Sequence, residues 1–250
     1  MSAQPQPLSL LGVMMCAAVP AAAVVLGGVV AVVRTPGPKV QSAVQHIAAG
    51  VLFAALATEL LPDVIHRRLP WVTFGGFALG VVAMLLLKAL AKRLEEREEP
   101  GEETPQSGLP TSLLLASALD ISLDGLLIGV SFAAGERQGL LITIAMTLEV
   151  LFLGVATAAA MRGPRAGRLV LATTISFAVL LTAGAGIGAY FLAAASPIVL
   201  DGVLSFGVAA LLYLVTEELL TEAHEVDETP VLTSMFFVGF LALLTIEMMV

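Results

Sequence analysis

Residues 117–134 read S-A-L-D-I-S-L-D-G-L-L-I-G-V-S-F-A-A, and the only charged side chains in this stretch are Asp120 and Asp124. A run of this length and composition is typical of a helix that crosses the hydrocarbon core of a bilayer. Each acid at the centre of such a helix costs roughly 2.5–3.5 kcal/mol on insertion scales, so acids at this depth indicate a function. The stretch therefore predicts a membrane-spanning helix that carries a polar site.

The composition of the whole chain agrees with a membrane protein. Apolar residues make up 58% of the 250 residues and charged residues 13%, too few to cover a water-facing surface. The apolar runs have the length of helices, not of the alternating strands of an outer-membrane barrel. A single cysteine, Cys16, excludes a disulfide framework, and a net charge of −8 excludes a basic surface for nucleic acid. We expect an all-α polytopic protein of the cell membrane, surrounded by the lipid bilayer.

Eight apolar runs, bounded by charged residues, proline or glycine, predict eight transmembrane helices. The predicted spans are residues 8–33, 39–65, 70–92, 110–134, 138–162, 168–193, 198–222 and 231–250. We interpret residues 1–250 as a single transmembrane domain. Residues 93–109, between the third and fourth spans, contain six glutamates and form the one long loop, which we expect to be a disordered linker.

Lysine and arginine set the expected orientation. Eight spans place both termini on one side of the membrane. Nine of the twelve basic residues lie in or beside the loops after odd-numbered spans: Arg34, Lys39, Lys88, Lys92, Arg93, Arg97, Arg162, Arg165 and Arg168. The opposite side has only Arg67, Arg68 and Arg137. Because cytoplasmic loops carry the excess of basic residues, we expect both termini outside the cytoplasm and the acidic loop inside it.

An internal repeat relates the second and seventh spans. Residues 56–63 read L-A-T-E-L-L-P-D and residues 215–222 read V-T-E-E-L-L-T-E, so that Glu59 aligns with Glu218 and the Leu-Leu pairs coincide. Spans five apart cross the membrane in opposite directions, which is the construction of inverted repeats in secondary transporters. We expect spans 1–3 and 6–8 to be the two repeats; chance similarity between apolar helices is the alternative.

Three acids are predicted near the centre of the membrane. Asp120 and Asp124 lie on either side of the midpoint of span 4 and share one helical face at i, i+4 spacing, and Glu149 lies at the midpoint of span 5. A second set of acids lies about 10 Å from the membrane centre, at 1.5 Å per residue: Glu59 outward in span 2, and Glu217 and Glu218 inward in span 7.

Convergence of the three central acids would have a physical consequence. Carboxylates that meet away from water repel one another and lose their hydration, and a divalent cation would remove both penalties and gain oxygen ligands. Two other interpretations are acids that hydrogen-bond between helices as structural contacts, and a proton relay without metal. We favour the cation site.

Signatures of other functions are missing from the sequence. No G-x-x-x-x-G-K-[ST] motif for ATP is present, and no H-E-x-x-H or Ser/His/Asp arrangement predicts an intramembrane protease. We therefore expect neither an enzyme nor a bound cofactor. His46, at the cytoplasmic end of span 2, is either a ligand on an exit path or an ordinary helix-end residue.

The chain resembles the ZIP (ZRT/IRT-like) family of divalent metal transporters over essentially its whole length, as a divergent member of bacterial type. Residues 46–51, H-I-A-A-G-V, continuing to E-L-L-P at 59–62, are similar to the family's second helix. Residues 125–135, G-L-L-I-G-V-S-F-A-A-G, are the most specific match. The resemblance implies a 3+2+3 arrangement of helices: a first three-helix repeat at 1–92, the acidic cytoplasmic loop at 93–109, a central metal-site pair at 110–162 and a second three-helix repeat at 163–250.

The predicted site differs from the family pattern. Where the family has His-Asn-x-Pro-Glu-Gly in span 4, this chain has D-I-S-L-D-G at 120–125, so Asp120 replaces the histidine ligand and Asp124 the glutamate. In span 5, E-V-L-F-L-G at 149–154 keeps only Glu149 of the family's ligands, and span 6 has no acid. The resemblance therefore implies one metal site rather than two.

By this resemblance the protein is a secondary transporter that carries a divalent metal toward the cytoplasm. Glu59 would lie near the entrance, and Glu217 and Glu218, which match a His-Glu pair of the family, near the exit. Oxygen ligands suit Mn²⁺ or Fe²⁺, whereas Zn²⁺ is the family's commonest substrate and also accepts carboxylates. The alternative is a degenerate member that acts as a membrane sensor or scaffold. Small residues of span 3 could pack a homodimer: Gly75, Gly76 and Gly80.

Replacing Asp120 with histidine should raise the preference for Zn²⁺ over Mn²⁺ several-fold, because imidazole is a softer ligand than carboxylate. Competition between the two metals in an uptake assay measures the ratio. A ratio equal to that of the wild type would show that Asp120 does not touch the metal.

Overall fold

The computed structural model describes residues 9–34, 36–97, 111–161, 166–192, 194–227 and 229–249. Within these ranges the chain forms eight long helices and no β-strand. Their bounds are α1 (Leu10–Val33), α2 (Pro38–Arg67), α3 (Pro70–Arg97), α4 (Thr111–Ala134), α5 (Glu136–Ala160), α6 (Ala166–Leu192), α7 (Pro197–Ala223) and α8 (Pro230–Met249). All eight contain a segment long and apolar enough to cross a membrane, so the predicted all-α fold with eight such helices is confirmed.

The predicted span boundaries agree with the helices to within a few residues, with one exception. α3 continues to Arg97, so residues 93–97 of the predicted acidic loop are helical. Charged residues end the apolar run of α3. Because leucine, glutamate and arginine are good helix formers, the helix continues beyond the apolar segment. The rest of the acidic loop lies outside the described residues, as do Arg162 and Arg165 of the predicted cytoplasmic side.

Local sequence signals set several helix starts. Four helices begin at a proline: Pro38, Pro70, Pro197 and Pro230. A proline in this position removes no helical hydrogen bond. Ser9, Ser196 and Thr229 accept hydrogen bonds from the backbone N–H three residues later and so cap α1, α7 and α8.

The helices pack in two groups of four. In the first group the most extensive contacts join α1 to α5 and α6, and α4 to α6 and α5. In the second group α2 packs on α8, and α3 packs on α7. The groups meet where α2 contacts α5 and where α3 and α7 contact α4. Few residues of α3 and α8 are buried, and their exposed apolar faces suit contact with lipid.

Contacts near the helix termini define two ends of the bundle. Arg137 at the start of α5 pairs with Glu59 near the end of α2. At the opposite end, the hydroxyl of Ser42 at the start of α2 donates to the carbonyl of Ala223 at the end of α7. We call these the Arg137 end and the Glu222 end. Successive helices run between them in opposite directions.

α2 and α7 each contain one π-helical turn, at Leu56–Leu60 and at Leu214–Leu219. Glu59 lies in the first turn, and Glu217 and Glu218 lie in the second. These are the positions that the sequence repeat aligns. A π turn inserts an extra residue and redirects the side chains that follow, and such turns are frequent at functional sites. The 3+2+3 arrangement and the inverted repeat stay predictions.

Two of the glycines suggested for a homodimer pack inside the chain. A Cβ atom on Gly76 would meet Gly202 of α7, and one on Gly80 would meet Phe206 of the same helix. Only Gly75 of the three has open space around it. The homodimer stays a prediction, but these two contacts do not contribute to it.

Gly154 of α5 is expected to be essential for close packing on α1, because a Cβ atom there would meet the carbonyl of Val24. Gly154→Ala should lower the free energy of unfolding by about 1–3 kcal/mol, since the two helices must move apart. The melting temperature of the purified protein in detergent measures this loss. Gly75→Ala is the matched control and should change little, because its Cβ meets nothing within 4 Å. Equal effects of the two substitutions would contradict this account of the packing.

Candidate metal site

Asp120 and Asp124 of α4 and Glu149 of α5 meet near the middle of their helices. Each offers one carboxylate oxygen, and the three oxygens lie within 4.8 Å of one another. Two oxygens that bind one ion at 2.0–2.6 Å are at most about 4–5 Å apart, so this spacing fits a single divalent cation. The structure thus brings together the three acids that the sequence places at the centre of the membrane.

The packing of α4 positions its two acids. A Cβ atom on Gly125 would meet the carbonyl of Leu181, so α4 lies in close contact with α6 on that side. Asp120 and Asp124 lie one turn apart on another face and border a small space against α3 and α7. Contact between α4 and α5 then brings Glu149 to the same pair.

Two of the three acids are deeply buried. The exposed fraction is 2% for Asp124 and 5% for Glu149, whereas Asp120 is partly exposed. Asp124 Oδ2 and Glu149 Oε2 are buried without a hydrogen-bond partner. No lysine or arginine in the described ranges forms an ion pair with any of the three acids. Buried carboxylates without partners are unfavourable, so the arrangement has the chemistry of a cation site.

A cavity of about 260 Å³ extends from the acids toward the Glu222 end. Asp120 and Glu149 lie at its inner end, and Glu218 and Glu222 of α7 line it one turn apart. Its other lining residues come from the parts of α3, α4, α5 and α7 between the acids and that end. A second cavity of about 10 Å³, the size of one water molecule, lies between Asp124 and α7. The larger cavity therefore lies between the acids and the Glu222 end.

Apolar residues are packed on the Arg137 side of the acids. Ile128 of α4 and Ile142 of α5 lie on this side of the acids, and each is 0% exposed. Farther along, Arg137 Nε lies 3.4 Å from Glu59 Oε1. Arg137 Nη2 also donates to the backbone carbonyl of Glu247 at 3.1 Å. Apolar packing and these polar contacts tie α5 to α2 and α8.

Two of the predicted metal residues form ion pairs with basic side chains. Glu59 is 5% exposed, and its partner is Arg137. Glu217 is half-exposed, lies 3.5 Å from the ammonium of Lys88 and is not among the residues that line the cavity. Its neighbour Glu218 does line the cavity, where an acid on an exit path would be expected.

Glu222 is a cavity residue that the sequence analysis missed. It accepts a hydrogen bond of 2.6 Å from Gln45. Its place four residues after Glu218 puts both acids on one helical face, and that spacing could have revealed it. Arg137 and Glu247 form an ion pair at 3.6 Å across 110 residues of sequence, and no sequence signal links them.

His46 lies at the Glu222 end and is 2% exposed. Its Nδ1 donates to the carbonyl of Ser42 at 2.8 Å, and its ring lies 5.2 Å from the ring of His224. His46 is not among the residues that line the cavity. The structure therefore places His46 near the Glu222 end and outside the cavity.

No protein-family model matches the sequence, and no curated protein matches it significantly. The resemblance to the ZIP family therefore rests on the motifs of the sequence.

The ion pair between Arg137 and Glu59 should stabilise the fold, because Glu59 is buried and would otherwise have no counter-charge. Arg137→Gln should lower the free energy of unfolding by about 1–3 kcal/mol, and adding Glu59→Gln should recover part of this loss. A double-mutant cycle on melting in detergent measures the coupling.

The exposed pair of Lys88 and Glu217 is the control for this cycle, since both side chains are more than half exposed. Its coupling should stay below about 1 kcal/mol. A coupling between Arg137 and Glu59 no larger than that of the control would contradict a structural role for the buried pair.

Proposed function

We propose that the protein is a secondary transporter that carries a divalent metal cation across the membrane through the site of Asp120, Asp124 and Glu149. One observation carries the proposal. Buried oxygens of Asp124 and Glu149 have no protein partner and belong to a three-carboxylate cluster that fits one ion. Hydrogen-bonded structural contacts between the helices would satisfy these oxygens, whereas a metal substrate satisfies all three carboxylates together.

The cavity supports transport rather than permanent storage of a metal. It connects the cluster to the Glu222 end, and the opposite side is packed. A site that is open to one end and closed to the other suits a transporter, which must expose its substrate to one side of the membrane at a time. Glu218 and Glu222 offer carboxylates along the path, so a cation would meet negative charge as it leaves the site.

The basic residues support a direction. Lys39 at the start of α2, Lys92 near the end of α3 and Arg168 at the start of α6 belong to the Glu222 end. Arg67 and Arg137 belong to the other end. By the positive-inside rule the Glu222 end would face the cytoplasm, and the cavity would release the metal there.

The helix contacts support the inverted repeat. In the predicted repeat, α1 corresponds to α6, α2 to α7 and α3 to α8, and the two central helices α4 and α5 correspond to each other. If each helix is replaced by its counterpart, the α1–α5 contact becomes the α6–α4 contact. The same exchange turns the α2–α8 contact into the α7–α3 contact. All four are among the most extensive contacts of the protein. Repeats of this kind are common in secondary transporters, which place the substrate where the halves meet.

The chemistry of the three carboxylate ligands limits which cations the site can bind. Three carboxylates offer only hard oxygen ligands and three negative charges, which suit a divalent cation better than a monovalent one. Mn²⁺ and Fe²⁺ fit such ligands, and Zn²⁺ also accepts carboxylate oxygens. We therefore propose Zn²⁺, Mn²⁺ or Fe²⁺ as the substrate.

Asp124→Ala should abolish metal uptake by proteoliposomes that contain the purified protein and a metal-sensitive dye. The substitution removes a central ligand together with a buried charge, so the fold should be retained. Asp63→Ala is the matched control: Asp63 pairs with Arg67 at 3.0 Å and lies outside the site. Its uptake should equal that of the wild type.

Three outcomes would contradict the proposal. Normal uptake by Asp124→Ala would remove this acid from the path. Proton flux without metal uptake by the wild type would show a proton relay. No flux of either kind in a folded preparation would favour a membrane sensor or scaffold.

A further inference from the structure

Asp201 is an acid of the second helix group that the proposed metal path does not use. It lies in the second turn of α7 and is 0% exposed. Asp201 Oδ2 accepts a hydrogen bond of 3.1 Å from the hydroxyl of Thr73 in α3, whereas Asp201 Oδ1 is buried without a hydrogen-bond partner. No basic side chain of the described residues forms an ion pair with it. The helix dipole acts mainly within the first turn, so it does not compensate this charge.

Ser205 lies one turn after Asp201 and is 1% exposed, and its hydroxyl also lacks a hydrogen-bond partner. Other buried hydroxyls of the bundle donate to the carbonyl four residues earlier, as Ser131 does to Leu127 and Thr143 does to Gly139. The Ser205 hydroxyl makes no such bond to Asp201. Its oxygen is therefore available to a ligand.

Spacing brings the two unpartnered oxygens to one face of α7, because residues at i and i+4 are neighbours on a helix. No hydrogen bond joins Asp201 Oδ1 to the Ser205 hydroxyl. A species that contacts several oxygens at once would satisfy both groups, and the Thr73 hydroxyl supplies a third oxygen from α3.

The charge of the three oxygen ligands indicates which kind of ion they would bind. One carboxylate with two neutral hydroxyls carries a single negative charge, which a monovalent cation neutralises. A divalent cation would leave a net positive charge in an apolar interior, which is unfavourable. Carboxylate and hydroxyl oxygens are hard ligands, and they bind hard cations. The central site has the opposite balance, since three carboxylates suit a divalent ion.

We propose that Asp201, Ser205 and Thr73 bind one sodium ion between α3 and α7, near the Arg137 end. The sodium site is separate from the divalent site, because none of its three residues lines the cavity. It bridges the two helices of the second group that also contact α4, the helix that carries Asp120 and Asp124.

The test compares melting temperatures of the purified protein in NaCl, KCl and choline chloride at equal ionic strength, without divalent metal. Na⁺ should raise the melting temperature by about 5 °C or more at saturation, because it binds only the folded state. K⁺ and choline should not. Equal melting temperatures in the three salts would overturn the proposal, and would leave a buried water as the partner of these oxygens.

Substitutions at Asp201 and Ser205 test whether the effect of Na⁺ on the melting temperature comes from the proposed sodium site. Asp201→Asn keeps the volume of the side chain and should abolish the dependence on Na⁺. Ser205→Ala should raise the Na⁺ concentration for half-maximal stabilisation by about tenfold, since it removes one ligand of a charged group.

Two matched controls should keep the full dependence on Na⁺. Asp63→Asn changes another acid near the Arg137 end, and Ser131→Ala removes a buried hydroxyl that bonds to its own helix. A dependence on Na⁺ that survives in Asp201→Asn would overturn the proposal. If Asp201→Asn does not fold, Ser205→Ala decides the assignment, and an unchanged half-maximal concentration would overturn it. Neither result depends on metal uptake, so failure here is distinct from failure of the proposed transport.

Discussion

The meeting of three carboxylates among apolar helices, two of them almost fully buried, is the constraint on which the rest of the structure depends. Acids of this kind are costly in the centre of a membrane, and they repel one another when they meet. In this protein two of them, Asp124 and Glu149, are almost fully buried and keep oxygens without partners. The described residues place no lysine or arginine against them. A divalent substrate would supply the missing charge and the missing bonds together, which is why we connect the site with transport.

The arrangement of the helices brings these acids together. α4 packs closely on α6 through glycines such as Gly125, and α5 packs on α1 through Gly154, so both acidic helices have backbone contacts on the sides away from the site. Their acidic residues then face each other and α7. The cavity extends from this point toward the Glu222 end, and Ile128 and Ile142 are packed on the other side of the acids.

The sequence predicts the eight helices well, because membrane helices have a characteristic length and apolar composition and often begin at a proline. It also places Asp120, Asp124 and Glu149 at one depth, through i, i+4 spacing and position along each helix, and the family resemblance implies that they form one site. It does not distinguish Glu217 from Glu218. Adjacent residues point about 100° apart on a helix, and the π turn shifts this phase in a way that the sequence does not reveal.

Contacts between residues that are far apart in the sequence cannot be predicted from helix length, composition and spacing. Arg137 meets Glu59 and Glu247 because three helices converge at one end, and this depends on how the two helix groups dock. The unpartnered Asp201 and Ser205 are equally hidden, because the sequence shows an ordinary acid near a helix start. Only the burial of their oxygens distinguishes them from surface residues.

Anomalous X-ray diffraction from crystals of the purified protein soaked with Mn²⁺ tests the central claim most directly. The account predicts one strong peak about 2.0–2.3 Å from carboxylate oxygens of Asp120, Asp124 and Glu149, and loss of this peak in Asp124→Ala. No peak between these three acids at saturating Mn²⁺, with or without a peak elsewhere, would contradict it.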